Sequence, residues 1–382
     1  MSNPLDRVRS DVVMRVAIVR TIPGESFSMD VYADGLISGL KAIHPEWEIL
    51  EIVPRPAEKH TSPWLSGLRK YYERFLRLPY YTARQEADVF HIVDHSYAHL
   101  VYWLKRAKKS VVVTCHDVIN LISPENLYSR ARIPMLSMAF WKFSVGGMRQ
   151  ADHITADSSV TANDLIRLLQ IERERITVVP LGVDSIFHPI PEKEVEAFRL
   201  QHGISPNALC LLHVGRADPR KNVLTVLKVV KLLKEEGFRV CLWRVGEDFT
   251  DIQRKFLITH NIGDSVFYLG KVDKQTLVYV YNAADIFLFP SLYEGFGIPV
   301  LEAMACGTPV ITSDCSSLPE VAGNAAVLVE PMDIQTIVRE AIRIYEDHVY
   351  RKTLVDRGFE RVKGFTWEAV ADQISKVYEQ IV

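Results

Sequence analysis

Short apolar, β-branched runs alternate along this chain with longer segments of helical period, the pattern of repeated βα units that build parallel sheets. In the first half, strands are predicted over residues 15–19, 48–53, 89–93, 110–114, 153–155 and 177–180. In the second half they fall at 210–214, 239–245, 266–269, 286–289, 309–312 and 326–329. Two sets of six imply an α/β protein of two doubly wound sheets, and 382 residues with 48% hydrophobic content suffice for two cores of ordinary size. Prolines and a glycine concentrate in VVPLGVDSIFHPIPE, between a buried-type strand and a polar helix, which puts the boundary near Pro180 to Glu192.

A net charge of -2 and a pI near 6.6 argue against general nucleic-acid binding, which would leave a basic excess. The five cysteines are scattered through apolar segments without a CxxC pair or metal-ligand spacing, so they read as reduced core residues. The opening MSNPLDRVRSDVV lacks the apolar run of a signal peptide, and no stretch approaches the ~20 apolar residues that span a bilayer. A cytoplasmic protein is expected, soluble or peripheral at the inner membrane face.

The chemistry concentrates in FPSLYEGFGIPVLEAMACGTPVITSD, residues 289–314. Glu294 sits on a glycine-flanked turn after an apolar strand, and Glu302 in the opening turns of a helix that Pro299 starts and Gly307 stops. Unpaired N–H groups at a helix N-terminus suit a diphosphate, while carboxylates accept hydrogen bonds from sugar hydroxyls. A blander role for Glu302 is to complement the helix dipole, at most about 1 kcal/mol. Upstream, Gly215 leads into RADPRKN, placing Arg216 and Lys221 at the carboxyl edge of a sheet, where ligands bind in open α/β folds. Two cations there suit a diphosphate leaving group; elsewhere such a pair would be a solvated surface feature. After the first strand, Gly24 in TIPGESFS lets backbone approach a ligand or simply makes an ordinary βα turn. His116, in VVVTCHDV, projects from the carboxyl edge of the first sheet, as a ligand contact or as a satisfied structural histidine, with Asp117 beside it as a turn or cap residue.

Glu294 and Glu302, with seven residues between them within EGFGIPVLEAMACGTPVI, resemble the motif of the retaining, nucleotide-sugar-dependent glycosyltransferases of family four. The resemblance is strongest from 209 to 331. It implies the GT-B architecture: two facing Rossmann-like domains with an interdomain cleft, here 1–184 and 185–365, with a crossover helix over 366–382 returning to the first. By this resemblance Glu294 contacts hydroxyls of the transferred sugar, and the N–H groups of Phe296, Gly297 and Ile298 face sugar or phosphate. Glu302 reads the ribose, and Arg216 and Lys221 hold the pyrophosphate behind the Gly215 turn. The Gly24 loop faces donor phosphates and acceptor, His116 hydrogen-bonds the donor sugar near its anomeric carbon, and His95 and Tyr97 of HIVDHSYAHL lie on the acceptor side. The implied donor is a UDP- or GDP-sugar of mannosyl or glucosyl type, and the acceptor a saccharide or lipid-linked glycan of cell-surface polysaccharide or glycolipid synthesis. Neither a cofactor nor a metal is expected; no DxD carboxylate pair and no carboxylate nucleophile can be nominated.

Competing readings remain. A nicotinamide oxidoreductase should show GxGxxG after its first strand, and none is present. A GT-B epimerase or phosphorylase, or a non-catalytic nucleotide-sugar-binding protein, would share the architecture. Finally, residues 64–84 interleave Arg69, Lys70, Arg74 and Arg77 with Trp64, Tyr71, Tyr72, Phe75 and Leu76. Such a helix either lies on an anionic membrane surface or packs its aromatic stripe on its own domain.

Overall fold

A computed structural model describes residues 13–24, 26–55, 63–122, 135–205 and 207–382; the first twelve residues, where no signal-peptide run was read, lie outside these. The first sheet comprises β1 (Arg15–Val19), β2 (Glu48–Ile52), β3 (Val89–Ile92), β4 (Ser110–Cys115), β5 (His153–Ala156) and β6 (Ile176–Val178). The second comprises β7 (Leu209–Gly215), β8 (Val240–Gly246), β9 (Val266–Gly270), β10 (Ile286–Phe289), β11 (Val310–Ser313) and β12 (Val327–Val329). Every strand lies within two residues of its predicted ends. All pairings are parallel, and β3, β5, β10 and β11 are buried at every residue, because helices cover both sheet faces.

The strand orders fix where ligands can bind. The first sheet runs β2-β1-β3-β4-β5-β6, so its winding reverses between β1 and β3. The second runs β12-β11-β10-β7-β8-β9 and reverses between β7 and β10. At each reversal the loops leaving the carboxyl ends diverge and open a crevice. These are two Rossmann-like sheets of the GT-B kind. The Trp367–Ile381 helix packs across the Phe27–Ile43 helix, where Gly35 and Gly39 leave room for Trp367. Its Tyr378 hydroxyl is 2.6 Å from His91 Nδ1 in β3.

The two halves touch across the cleft. Tyr293 Oη donates to Asp164 Oδ2 at 2.8 Å, and Ser159 donates its N–H and hydroxyl to the Glu320 carboxylate at 3.0–3.1 Å. The Thr161 hydroxyl reaches both His116 O and Gly295 O at 3.4 Å.

Residues Pro63–Tyr72 are α-helical, Glu73–Arg77 form a π-helical turn, and Leu78–Thr82 continue the helix; the Trp64 side chain lies outside the described residues. The aromatic stripe divides. Tyr71 and Phe75 face inward, 4.8 and 4.9 Å from the ring of Phe140, whereas Leu68, Tyr72, Leu76, Tyr80 and Tyr81 are exposed. The exposed residues 68, 72, 76 and 80 recur every four positions. Spacing of four overshoots an α-helical turn and falls short of a π-helical one, so the π turn keeps the stripe on one side. No helix among the described residues is long and apolar enough to cross a membrane.

Candidate active site

The second-sheet crevice is built from the loops after β7 and β10. After β7 the chain makes a 3-10 turn over Pro219–Lys221, and Asn222 follows in a left-handed conformation, φ 53°. The Asn222 amide donates to Pro290 O at 3.0 Å and Pro331 O at 2.8 Å, while Leu292 N–H donates to Arg220 O at 2.7 Å. These bonds tie the β7 and β10 loops into one wall.

On that wall Lys221 Nζ donates to Glu294 Oε1 at 2.6 Å, and Arg220 Nη1 donates to Oε2 at 3.1 Å. All three side chains are largely buried. Burial opposes ionisation of Glu294, but Lys221 and Arg220 outweigh it and hold the carboxyl below its usual range. Burial lowers the Lys221 ammonium despite Glu294. Lys221 packs over Gly215 and lies 4.8 Å from the centre of the Phe289 ring. Glu294 is fixed from behind: its N–H and carbonyl both meet the Ser316 hydroxyl, at 3.0 and 2.6 Å, and Ser317 donates to the carbonyls of Glu294 and Phe296.

Beyond Glu294, Gly297 adopts φ 111° and starts the Ile298–Ala305 helix, with Pro299 in its first turn. The N–H groups of Phe296, Gly297 and Ile298 thus lead into a helix N-terminus, while the Phe296 side chain is buried. Glu302 lies one turn on, 6% exposed, and accepts a 2.8 Å hydrogen bond from Tyr281 Oη. Burial pushes its carboxyl up to about 7.

Arg216 does not join the Glu294 cluster. Its side chain is 67% exposed and pairs with Asp218 and Glu247, each at 3.3 Å, at the mouth of the crevice. Arg220, which the sequence reading passed over, is the arginine that reaches Glu294. Its signal was the PRKN cluster itself, where a 3-10 turn carries both Arg220 and Lys221 toward the sheet edge.

Across the cleft, His116 is 9% exposed and both ring nitrogens are engaged, Nδ1–H by Asp157 Oδ2 at 2.7 Å and Nε2–H by Val93 O at 2.8 Å. Burial works against its charge, yet Asp157 prevails and raises the imidazolium to about 9. The ring is a charged structural pair in this arrangement and offers no free nitrogen to a sugar. What His116 brings to the cleft is its backbone carbonyl, against Gly295. His95 follows β3 with its ring 6.5 Å from that of His116, and its Nδ1 takes no hydrogen bond among the described residues. Tyr97 is buried, 4.3 Å beneath the Arg74 guanidinium, so its ring belongs to the core. Gly24 lies after β1 at φ 85°, its N–H donating to Asp30 at 2.8 Å.

Two facing Rossmann-like sheets with these loops at their switch points define a GT-B protein. Solved structures share the fold over nearly the whole chain. Sucrose-phosphate synthase from Thermosynechococcus elongatus superposes with a TM-score of 0.76 at 22% identity, covering 96% of this chain and 98% of its own. The Anabaena protein HepE, in complex with UDP and glucose, superposes at 0.75 and 16% identity, covering 96% and 100%. The family model for glycosyl transferases group 1 matches residues 194–361, and that for Glycosyltransferase Family 4 matches 34–186. The O-antigen chain mannosyltransferase B of Escherichia coli is 29% identical over 75% of this chain and 74% of its own length. The chain belongs to the family-four glycosyltransferases.

Proposed function

We propose that this glycosyltransferase is retaining and metal-independent, and moves a mannosyl- or glucosyl-type residue from a UDP- or GDP-sugar to a saccharide or lipid-linked acceptor in cell-surface glycan synthesis. The observation that carries the reading is the buried Lys221–Glu294–Arg220 cluster at the β7/β10 switch point, beside a helix N-terminus. The mannosyltransferase relative and the UDP- and glucose-bound HepE support the donor class.

In this reading Lys221 and Arg216 hold the diphosphate, Glu302 the ribose, Glu294 the hydroxyls of the transferred sugar, and the N–H groups of Phe296, Gly297 and Ile298 the sugar or phosphate. The Gly24 loop and His95 border the acceptor; the His116 imidazolium, locked by Asp157, contributes charge rather than a ring hydrogen bond. The bond between anomeric carbon and diphosphate breaks as the acceptor oxygen attacks from the same face, and the acceptor proton passes to the departing phosphate oxygen. Charge building on that leaving group is what fixed cations stabilise. The exposed stripe of Leu68, Tyr72, Leu76 and Tyr80, flanked by Lys70 and Arg84, would rest on an anionic inner membrane face and bring the cleft to lipid-linked acceptors.

A thermal-shift panel of UDP, GDP, ADP, dTDP and NAD tests the donor site, since a ligand at ~100 times its Kd adds about 2.7 kcal/mol to native stability. Stabilisation by a single nucleoside diphosphate is expected, followed by product formation from its sugar conjugate and a glycan acceptor. Stabilisation by NAD alone would overturn the reading, and sugar-nucleotide binding without product would leave a binding protein.

A further inference from the structure

Tyr281 is fully buried on the Lys274–Ala283 helix, its ring edge-on between Phe187 and Phe287 at 5.8 and 5.5 Å. A buried tyrosine hydroxyl needs a partner, and here it has one: Oη donates to Glu302 Oε2 at 2.8 Å. Among the described residues, Tyr281 is the one side chain that hydrogen-bonds this carboxylate, so one oxygen is held and Oε1 is left for something else. The backbone around the tyrosine is tied down. Thr308 Oγ1 donates to its backbone carbonyl at 2.7 Å, and the adjacent Asn282 side chain accepts from Ile190 N–H at 2.9 Å and donates to His188 O at 3.0 Å.

We propose that Tyr281 is a positioning residue for donor recognition: its hydroxyl orients the Glu302 carboxylate so that Oε1 meets a ribose hydroxyl, making the site selective for ribonucleotides over 2′-deoxyribonucleotides. This rests on the reading of Glu302 as the ribose contact. A carboxylate fixed at one oxygen by a buried donor loses less freedom when the other oxygen engages a ligand. Removing the hydroxyl leaves the ring packing unchanged and frees the carboxylate to rotate. The neighbouring charged groups, Lys274 and Asp184, pair with each other at 2.7 Å and are not free to replace it.

The test compares GDP with 2′-deoxy-GDP, and UDP with 2′-deoxy-UDP, by calorimetry on the full chain and on Tyr281→Phe and Glu302→Ala. The wild type should prefer the ribo form of the nucleotide it binds, and Tyr281→Phe should shrink that preference by up to roughly tenfold, the upper end of the scale of one ordinary hydrogen bond. A loss of general packing would instead weaken ribo and deoxy forms alike, which would overturn the proposal. If Glu302→Ala abolishes the preference while Tyr281→Phe retains it, the positioning role fails and the ribose reading stands. If the wild type shows no preference, or Glu302→Ala keeps it, the ribose reading itself fails.

Discussion

At Gly295 the backbone of one domain lies directly against that of the other, which gives a direct test of whether this juxtaposition matters for turnover. A Cβ built on Gly295 would lie 1.9 Å from the carbonyl oxygen of His116 and 3.1 Å from Asp117 Cβ, whereas real Cβ atoms essentially never come within 3.0 Å of another atom. Gly295→Ala must therefore part the loops by about 1.1 Å, since neither partner atom is the far end of a flexible side chain. Misplacing a bound group by about 1 Å can cost 10²-fold in rate, or ~2.7 kcal/mol of transition-state stabilisation. Within its own domain the new methyl displaces nothing comparable, so nucleoside-diphosphate affinity and Tm should change little. The assay pairs kcat from product formation with Kd for the diphosphate, and Gly263→Ala, whose Cβ meets nothing within 4 Å, serves as control. Near-normal kcat in Gly295→Ala would refute the idea that catalysis needs the domains this close. An equal loss of diphosphate binding would show that the damage is local to the donor loop.

Three further outcomes follow from the same contacts. Replacing Glu294 with a neutral residue should abolish measurable turnover and destabilise the fold by about 3–5 kcal/mol, because Lys221 and Arg220 lose their buried carboxylate, whereas replacing Lys221 should abolish turnover at a smaller cost because Arg220 still pairs with Glu294; denaturant titration should show the double replacement costing less than the sum of the singles. Asp157→Asn should remove a pH dependence of stability. The His116 imidazolium, raised to about 9, contributes stability that is full below its ordinary 6.5 and lost as pH rises through about 9, so the wild-type Tm should fall across that window and the variant's should not. Leu76→Glu should weaken co-sedimentation with vesicles containing anionic lipid by roughly tenfold, given the ~1.5–3 kcal/mol of a buried leucine; a wild type that shows no preference for anionic lipid at moderate salt would remove the membrane proposal.

The strands were legible because each is a short apolar run, and parallel sheets covered on both faces need little else. The Glu294 to Glu302 segment was equally legible, since its glycines, proline and carboxylates sit in one contiguous stretch. What the sequence hid was pairing at a distance. Arg220 and Arg216 look equivalent on paper, and only the 3-10 turn decides that one faces Glu294 and the other the mouth of the crevice. His116 was found, but not Asp157, 41 positions on, which takes its Nδ1–H and turns a candidate sugar ligand into a structural cation. Tyr281 reads as core by its apolar neighbours, and it is core except for the one hydroxyl that reaches Glu302. Ser316 and Ser317 pass for an ordinary turn before Pro319, yet they hold the backbone of the loop after β10.

The same pairing bears on how a donor would enter. Each cation assigned to the diphosphate already has a protein carboxylate: Lys221 has Glu294, and Arg216 has Asp218 and Glu247. Under the proposed function a diphosphate therefore binds by exchange, drawing Lys221 away from Glu294 instead of filling an open positive pocket. That exchange frees a carboxylate oxygen beside the sugar at the moment the ammonium turns to the leaving group. Arg220 remains on the other carboxylate oxygen, so Glu294 keeps a cation when Lys221 leaves, but breaking the buried Lys221–Glu294 contact still offsets part of the binding energy of a diphosphate. A nucleoside diphosphate must draw Lys221 from Glu294 to bind, so Glu294→Gln should tighten its binding while destroying transfer, a divergence that calorimetry and product formation on one variant can read together.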